Sequence, residues 1–282
     1  MKGSEAMQPT FSELKNAARS ALKHRWAEAV AVTLVLIATS FLNTFIQYIL
    51  MSVFKVRDVW TPFTPTDLPM HSQIASVGIT LFSAVFSFFV MFPLVFGVMR
   101  WFWFITAGGD IGIGEIFYYF SSGKVFFKSV GLSVRLYLRL IIGAVVSFLP
   151  YLAAAIFTTP YIYDRLNIKM PVFMESLSPL AQFLKAFGFL AFLMWISIYL
   201  LCYTVIFSEP QLTVGQIIRR TVKISKGFRF NMVCFFFSFF GWILLSFLLL
   251  PLIFAGPYML SAFALYGREV YRASKHSVPQ AG

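Results

Sequence analysis

The 282-residue chain is 59% hydrophobic and only 12% charged, with a mean hydropathy of +0.79. Soluble domains carry roughly a quarter charged residues, and a 32.1 kDa soluble fold cannot hide this much apolar surface; the composition excludes that class and makes lipid the expected solvent. The formal net charge of +12 lies in short clusters at the ends of apolar runs, a placement that argues against nucleic acid as the partner, while Cys202 and Cys234 fall inside apolar runs and read as small buried hydrophobes.

A membrane span takes roughly 20 apolar residues as helix. After a basic segment over about 10–25, runs of that kind fall at 29–53, 74–99, 136–157 and 180–207. The first run has the length of a span and no small-residue cleavage site, so it is expected to stay in the mature protein. The outer stretches around Pro62, Pro65, Pro160 and Pro171 read as connectors. Ser178-Pro179 has the form of a helix start. The last apolar stretch, 230–266, is interrupted by Pro251 and Pro257. It predicts a helix over 230–250, a tight turn, and a short return over 252–266 that either crosses or re-enters. The expected fold is all-α: a polytopic membrane helix bundle of about six transmembrane helices, one integral-membrane domain over 1–272 and a tail over 273–282.

The basic residues set an orientation. Of the 23 Lys and Arg, only Lys55, Arg57, Arg165, Lys169 and Lys185 fall in segments opposite the N-terminus. That asymmetry predicts cytoplasmic N- and C-termini and an even number of spans.

Each inner segment before a span is amphipathic. Phe11, Leu14, Ala18 and Ala21 form one face of the first, with Lys15, Arg19 and Lys23 on another. In the third, Val214, Ile217, Ile218, Thr221 and Phe228 oppose Arg219, Arg220, Lys223 and Lys226. Thr10-x-x-Glu13 and Thr213-x-x-Gln216 have the form of capping boxes. The middle segment, Ile113-Gly114-Glu115-Ile116-Phe117, resembles Val214-Gly215-Gln216-Ile217-Ile218, and the spacings from Gly114 to Pro150 and from Gly215 to Pro251 are identical. Three copies of one unit, interfacial helix, span, outer loop, span, would give this pattern. Basic interfacial helices are drawn to anionic headgroups, so Lys15, Arg19, Lys23, Arg219, Arg220, Lys223 and Lys226 are the expected lipid contacts, unless they only anchor topology.

No catalytic constellation stands out. His24, His71 and His276 have no metal-ligand spacing to one another or to Cys and carboxylates. The glycine-rich run 108–114 lacks the lysine of a phosphate loop and reads as a flexible connector. The acidic residues fall at or beyond the span ends, which argues against proton-driven transport. A polar stripe does enter the membrane: Ser40, Asn43 and Gln47 on the first span, and Ser76, Thr80, Ser83 and Ser87 on the second, at spacings of three and four residues. Equal depth in an antiparallel hairpin pairs Gln47 with Thr80, Asn43 with Ser83, and Ser40 with Ser87. Such pairs are structural glue, or else they line a substrate or lipid groove.

Arg220-x-x-x-x-Ser225-Lys226-Gly227, Ser238-Phe239-Phe240-Gly241-Trp242, Pro257-Tyr258 and Ala264-x-Tyr266 resemble the closing signature of a bacterial integral-membrane family, the domain of unknown function number nine hundred and seventy-five. The opening Glu13-Leu14-Lys15-x-x-Ala18-x-x-x-Leu22-Lys23, followed by Trp26, resembles its start. The loop before the fourth span is longer than the family's, and Leu249-Leu250-Pro251 stands where the family has a glycine-rich turn. The resemblance implies six helices in a bacterial cytoplasmic membrane and supplies no catalytic residues. The expected function is therefore non-enzymatic and cofactor-free: a transport accessory, assembly factor or envelope-homeostasis scaffold with lipid, a membrane protein or a second copy as partner. The alternative is a carrier or flippase for a lipid or apolar solute.

Overall fold

A computed structural model describes residues 9–54, 56, 70–158, 169, 178–246 and 250–276. These residues are mostly helical and contain no strand. In chain order the α-helices are α1 (Phe11–Leu22), α2 (Trp26–Val53), α3 (Met70–Phe86), α4 (Phe92–Ile105), α5 (Gly123–Thr158) and α6 (Ser178–Leu200). They continue as α7 (Cys202–Ser208), α8 (Val214–Ser225), α9 (Arg229–Phe237), α10 (Phe240–Ser246) and α11 (Leu250–His276). The connectors expected around Pro62, Pro65, Pro160 and Pro171 lie outside the described residues. Four helical stretches are long and apolar enough to cross a membrane: Trp26–Val53, Ile74–Ile105, Gly123–Ile156 and Pro179–Ser208. They coincide with the first four expected spans and make this a helical membrane-protein bundle.

The chain forms two compact units, residues 1–133 with 239–272, and residues 134–238 with 273–282. In the first, Val32, Val98, Trp101, Phe102, Ile116 and Ala264 build a core with at most 1% of each side chain exposed. The outer half of α2 leaves Phe41, Phe45 and Tyr48 exposed, as lipid-facing aromatics would be. Between α3 and α4 the ladder widens into a π-turn at Ser87–Met91, where Phe92 N–H donates to the Ser87 carbonyl. Pro93 follows immediately and has no N–H of its own to give, so the wider turn absorbs the missing bond.

Three sequence expectations change here. The middle interfacial segment is a 3-10 helix, Ile113–Phe120. Glycines at 112 and 114 disfavour an α-turn, and burying Ile116 and Tyr119 three residues apart suits three residues per turn. Gly97 lets this segment sit against α4: a Cβ there would overlap the Ile116 carbonyl. The helix expected over 230–250 breaks at Ser238 and Phe239, between α9 and α10. Ser238 Oγ donates to the Phe235 carbonyl at 2.5 Å, a local bond that competes with the backbone ladder. The short return expected over 252–266 belongs to the 27-residue α11, which continues through Pro257. Burial of Ala255, Tyr258, Ala262 and Ala264 offsets the bond that proline forfeits. The four long apolar stretches do not include α9, α10 or α11, so a count of six spans rests on sequence patterning.

In the second unit α5 and α6 meet through glycine. Gly143 faces the Trp195 ring, and a Cβ at Gly188 would come within 2.7 Å of the Ser147 carbonyl oxygen. Small residues allow this close approach without hydrophobic drive from a lipid solvent. The Trp195 indole N–H donates to the Arg139 carbonyl at 2.9 Å, which fixes the register. On α8 the residues buried are Ile217, Ile218, Thr221, Ile224 and Ser225; of the predicted apolar face, Val214 and Phe228 are only half-buried.

Candidate functional site

The polar stripe is partly assembled. Asn43 Nδ2 donates to Ser83 Oγ across α2 and α3 at 3.4 Å. Its neighbours bond within their own helices: Gln47 Nε2 to the Asn43 carbonyl at 3.4 Å, Thr80 Oγ1 to the Ser76 carbonyl at 2.9 Å, and Ser40 Oγ to the Leu36 carbonyl at 3.1 Å. Ser87 lies in the π-turn, half-buried. Back-bonding to the preceding turn satisfies a hydroxyl in hydrocarbon without a partner helix. Asn43 keeps one unmet demand, since its Oδ1 is buried and has no hydrogen-bond partner among the described residues.

The expected lipid contacts divide into two kinds. Lys23, Arg219, Lys223 and Lys226 are exposed. Lys15, half-buried, lies over the Phe239 ring at 4.4 Å, and Arg19, though exposed, lies over Tyr258 at 5.2 Å. Burial, and then the neighbouring Arg19 charge, hold the Lys15 amine below the usual lysine range. Arg220 Nε reaches Glu209 Oε1 at 3.3 Å. Both helix starts close as boxes: Thr10 N–H donates to Glu13 Oε2 at 2.7 Å, and Thr213 N–H to Gln216 Oε1 at 2.9 Å.

Sequence reasoning missed the internal work of three other arginines. Arg25 donates to the carbonyls of Gly109 and Ile111 at 3.3 and 3.1 Å and meets Asp110 at 3.0 Å. The glycine-rich run read as a flexible connector is thus an anchored turn, with Gly108 at φ +79°, where a side chain would be strained. Arg100 meets Glu115 at 3.1 Å and lies over Tyr118 at 3.9 Å. Arg268 donates to the Trp103 carbonyl and covers that ring at 4.7 Å. The only available signal was an arginine at a span end with an acid or aromatic at another, a pattern too common to be specific. No group of three or more His, Cys, Asp or Glu suited to a metal occurs among the described residues.

The family model described as "Protein of unknown function (DUF975)" matches residues 7–274. The chain belongs to this family. No curated protein and no solved structure matches it. The structure gives the family-like blocks a physical meaning. Phe239 and Trp242 of the closing block meet Tyr258 edge-on at 5.5 and 5.6 Å, and Lys15 of the opening block lies on Phe239. Gly227, at φ +87°, ends the α8 turn where only glycine is unstrained. Lys15, Phe239, Trp242 and Tyr258, drawn from the two ends of the chain, are therefore one cluster in space.

Proposed function

We propose that this is a non-enzymatic, multi-pass protein of a bacterial cytoplasmic membrane, with both termini inside, that works as an assembly factor, transport accessory or scaffold. One observation carries the reading. The polar stripe is joined across the two helices at Asn43–Ser83, while α5 presents an apolar flank at Leu138, Ile141, Val145 and Leu152. Polar groups turned to a neighbouring helix act as glue, and a long apolar flank suits a membrane-embedded partner. The exposed cations Lys23, Arg219, Lys223 and Lys226 suit an anionic leaflet. A photo-crosslinking residue at Leu138, Val145 or Leu152, activated in native membranes, should give one discrete protein adduct. For the probes at Leu138 and Leu152, a Val145→Lys change should abolish it. Adducts to lipid alone from all three positions would overturn the scaffold reading.

The second reading, a carrier or flippase for a lipid or apolar solute, is favoured by a single group. The buried, unpartnered Asn43 Oδ1 is an acceptor that a substrate hydroxyl could satisfy. Substrate-dependent protection of a Gln47→Cys variant from thiol reagents, lost on adding Asn43→Leu, would support it.

A further inference from the structure

Four cations of the basic side are neutralised or covered within the fold, by carboxylates, carbonyls or rings, at Arg25, Arg100, Arg220 and Arg268. Two arginines on α5 have no carboxylate partner among the described residues. Arg135 and Arg139 sit one helical turn apart on the same face, both exposed, and neither forms an ion pair among the described residues. Arg139 Nη1 donates to Tyr199 Oη at 3.3 Å, and its guanidinium lies 5.8 Å from the centre of that ring; Tyr199 is a neutral partner that holds the guanidinium without cancelling its charge. Arg135 Nη1 lies 3.4 Å from where a Cβ of Gly215 would stand. Gly215 is in the first turn of α8, whose free amides add partial positive charge and offer no compensation.

The same face of α5 continues into lipid. Ile142, Val146 and Leu149 follow at spacings of three and four residues and are 55%, 58% and 58% exposed. Counting roughly 20 residues of span back from Ile156, the end of the apolar stretch, puts Tyr137 at the hydrocarbon edge, between the two arginines. A pair of uncompensated guanidiniums at that edge, under an exposed apolar stripe, matches a phosphate with acyl chains attached. We infer that α5 carries a phospholipid site: Arg135 and Arg139 hold the phosphate of an anionic phospholipid, and Ile142, Val146 and Leu149 receive one of its chains. The inference rests on the membrane location proposed above and not on the scaffold role. It assigns the charge complementarity to a lipid phosphate, because a soluble anion would leave the apolar stripe without a use.

The test uses the full-length chain in nanodiscs of phosphatidylcholine with phosphatidylglycerol. A fluorophore on Val146→Cys, in a Cys202→Ala, Cys234→Ala background, should be quenched more by brominated phosphatidylglycerol than by brominated phosphatidylcholine. The joint Arg135→Gln, Arg139→Gln variant should lower that preference roughly tenfold or more, as two basic side chains at an anionic leaflet predict. Arg135→Lys, Arg139→Lys should retain much of it, and Arg219→Gln, Lys223→Gln should leave it unchanged. Equal quenching by the two lipids with native arginines overturns the site, even if the glutamine variant does not fold. Loss of the preference on adding inorganic phosphate to the nanodiscs would also overturn it, by reassigning the arginines to a soluble anion. Protein crosslinks at Leu138 or Val145 test the scaffold role separately, on the adjoining face of the helix.

Discussion

Replacing Asn43 with leucine puts the two roles of the polar stripe in conflict. The Asn43–Ser83 bond is 3.4 Å long, and hydrogen bonds between membrane helices average only about 0.6 kcal/mol. Against that stands the buried Asn43 Oδ1 with no partner among the described residues, a deficit of about 1–3 kcal/mol. Leucine has a similar length, removes the unmet acceptor, and leaves Ser83 free to bond back to its own helix. The cost of the unmet acceptor exceeds the gain from the bond, so Asn43→Leu should stabilise the reconstituted protein, by about 1 kcal/mol. Reversible unfolding in mixed micelles measures it, and a cycle with Ser83→Ala should give a coupling energy below about 1 kcal/mol. Destabilisation by more than about 1 kcal/mol, with coupling to Ser83 above about 1.5 kcal/mol, would mean that the bond outweighs the orphaned acceptor. The variant also separates the functional readings. A scaffold keeps its function when Asn43→Leu folds more stably, whereas a carrier that uses the amide loses it.

The orientation predicts that single cysteines at 56–73 and 161–177 react with an impermeant thiol reagent in intact cells and those at 110–123 and 213–227 do not; labelling of the latter set would defeat it. Glutamate at Arg219 and Lys223 should weaken binding to anionic vesicles and leave stability within about 0.5 kcal/mol, as expected of exposed sites. Arg220→Glu should in addition lower the melting temperature, because it turns the Glu209 contact into a repulsion. The Lys15 amine titrates below its unfolded range, so the unfolded chain holds more protons there and stability should rise with pH as Lys15 deprotonates. Lys15→Met should flatten that rise in a pH series of melting curves, and an unchanged slope would exclude Lys15 as its source.

Much of the fold is legible because lipid imposes a simple rule. A stretch such as 29–53 must be helical wherever it sits in hydrocarbon, since its backbone has no other partner. The two capping boxes are equally legible, being short-range and residue-specific. What sequence periodicity cannot show is where a helix changes register against a neighbour. The π-turn at Ser87 and the break at Ser238 depend on Pro93 and on one hydroxyl. The 3-10 form of Ile113–Phe120 depends on room made by Gly97 on another helix. In the stripe, equal depth pointed to Asn43 and Ser83, but Gln47, Thr80 and Ser40 bond to carbonyls of their own helices. Depth fixes which residues can meet; rotation about the helix axis decides which do.

The basic residues show why counting charge overstates affinity for a leaflet. The orientation rule weighs each Lys and Arg alike, since it acts on segments that have yet to pack. Folding then sorts them. Arg25 closes a turn, Arg100 and Arg220 meet carboxylates, and Arg268 caps an indole. Each has its field cancelled or its surface covered, so it adds little attraction to a headgroup. The residues left with exposed charge outside any ion pair described here include Lys23, Arg219, Lys223 and the α5 pair Arg135 and Arg139. Lys23, Arg219 and Lys223 lie on or beside amphipathic helices, where attraction is diffuse and screened by salt. The α5 pair sits at the hydrocarbon edge, where screening by solvent is weaker. Raising salt should therefore release vesicles held by Arg219 and Lys223 well before it erases the phosphatidylglycerol preference sensed at Val146. If both fade together over the same salt range, the α5 arginines are ordinary surface charges.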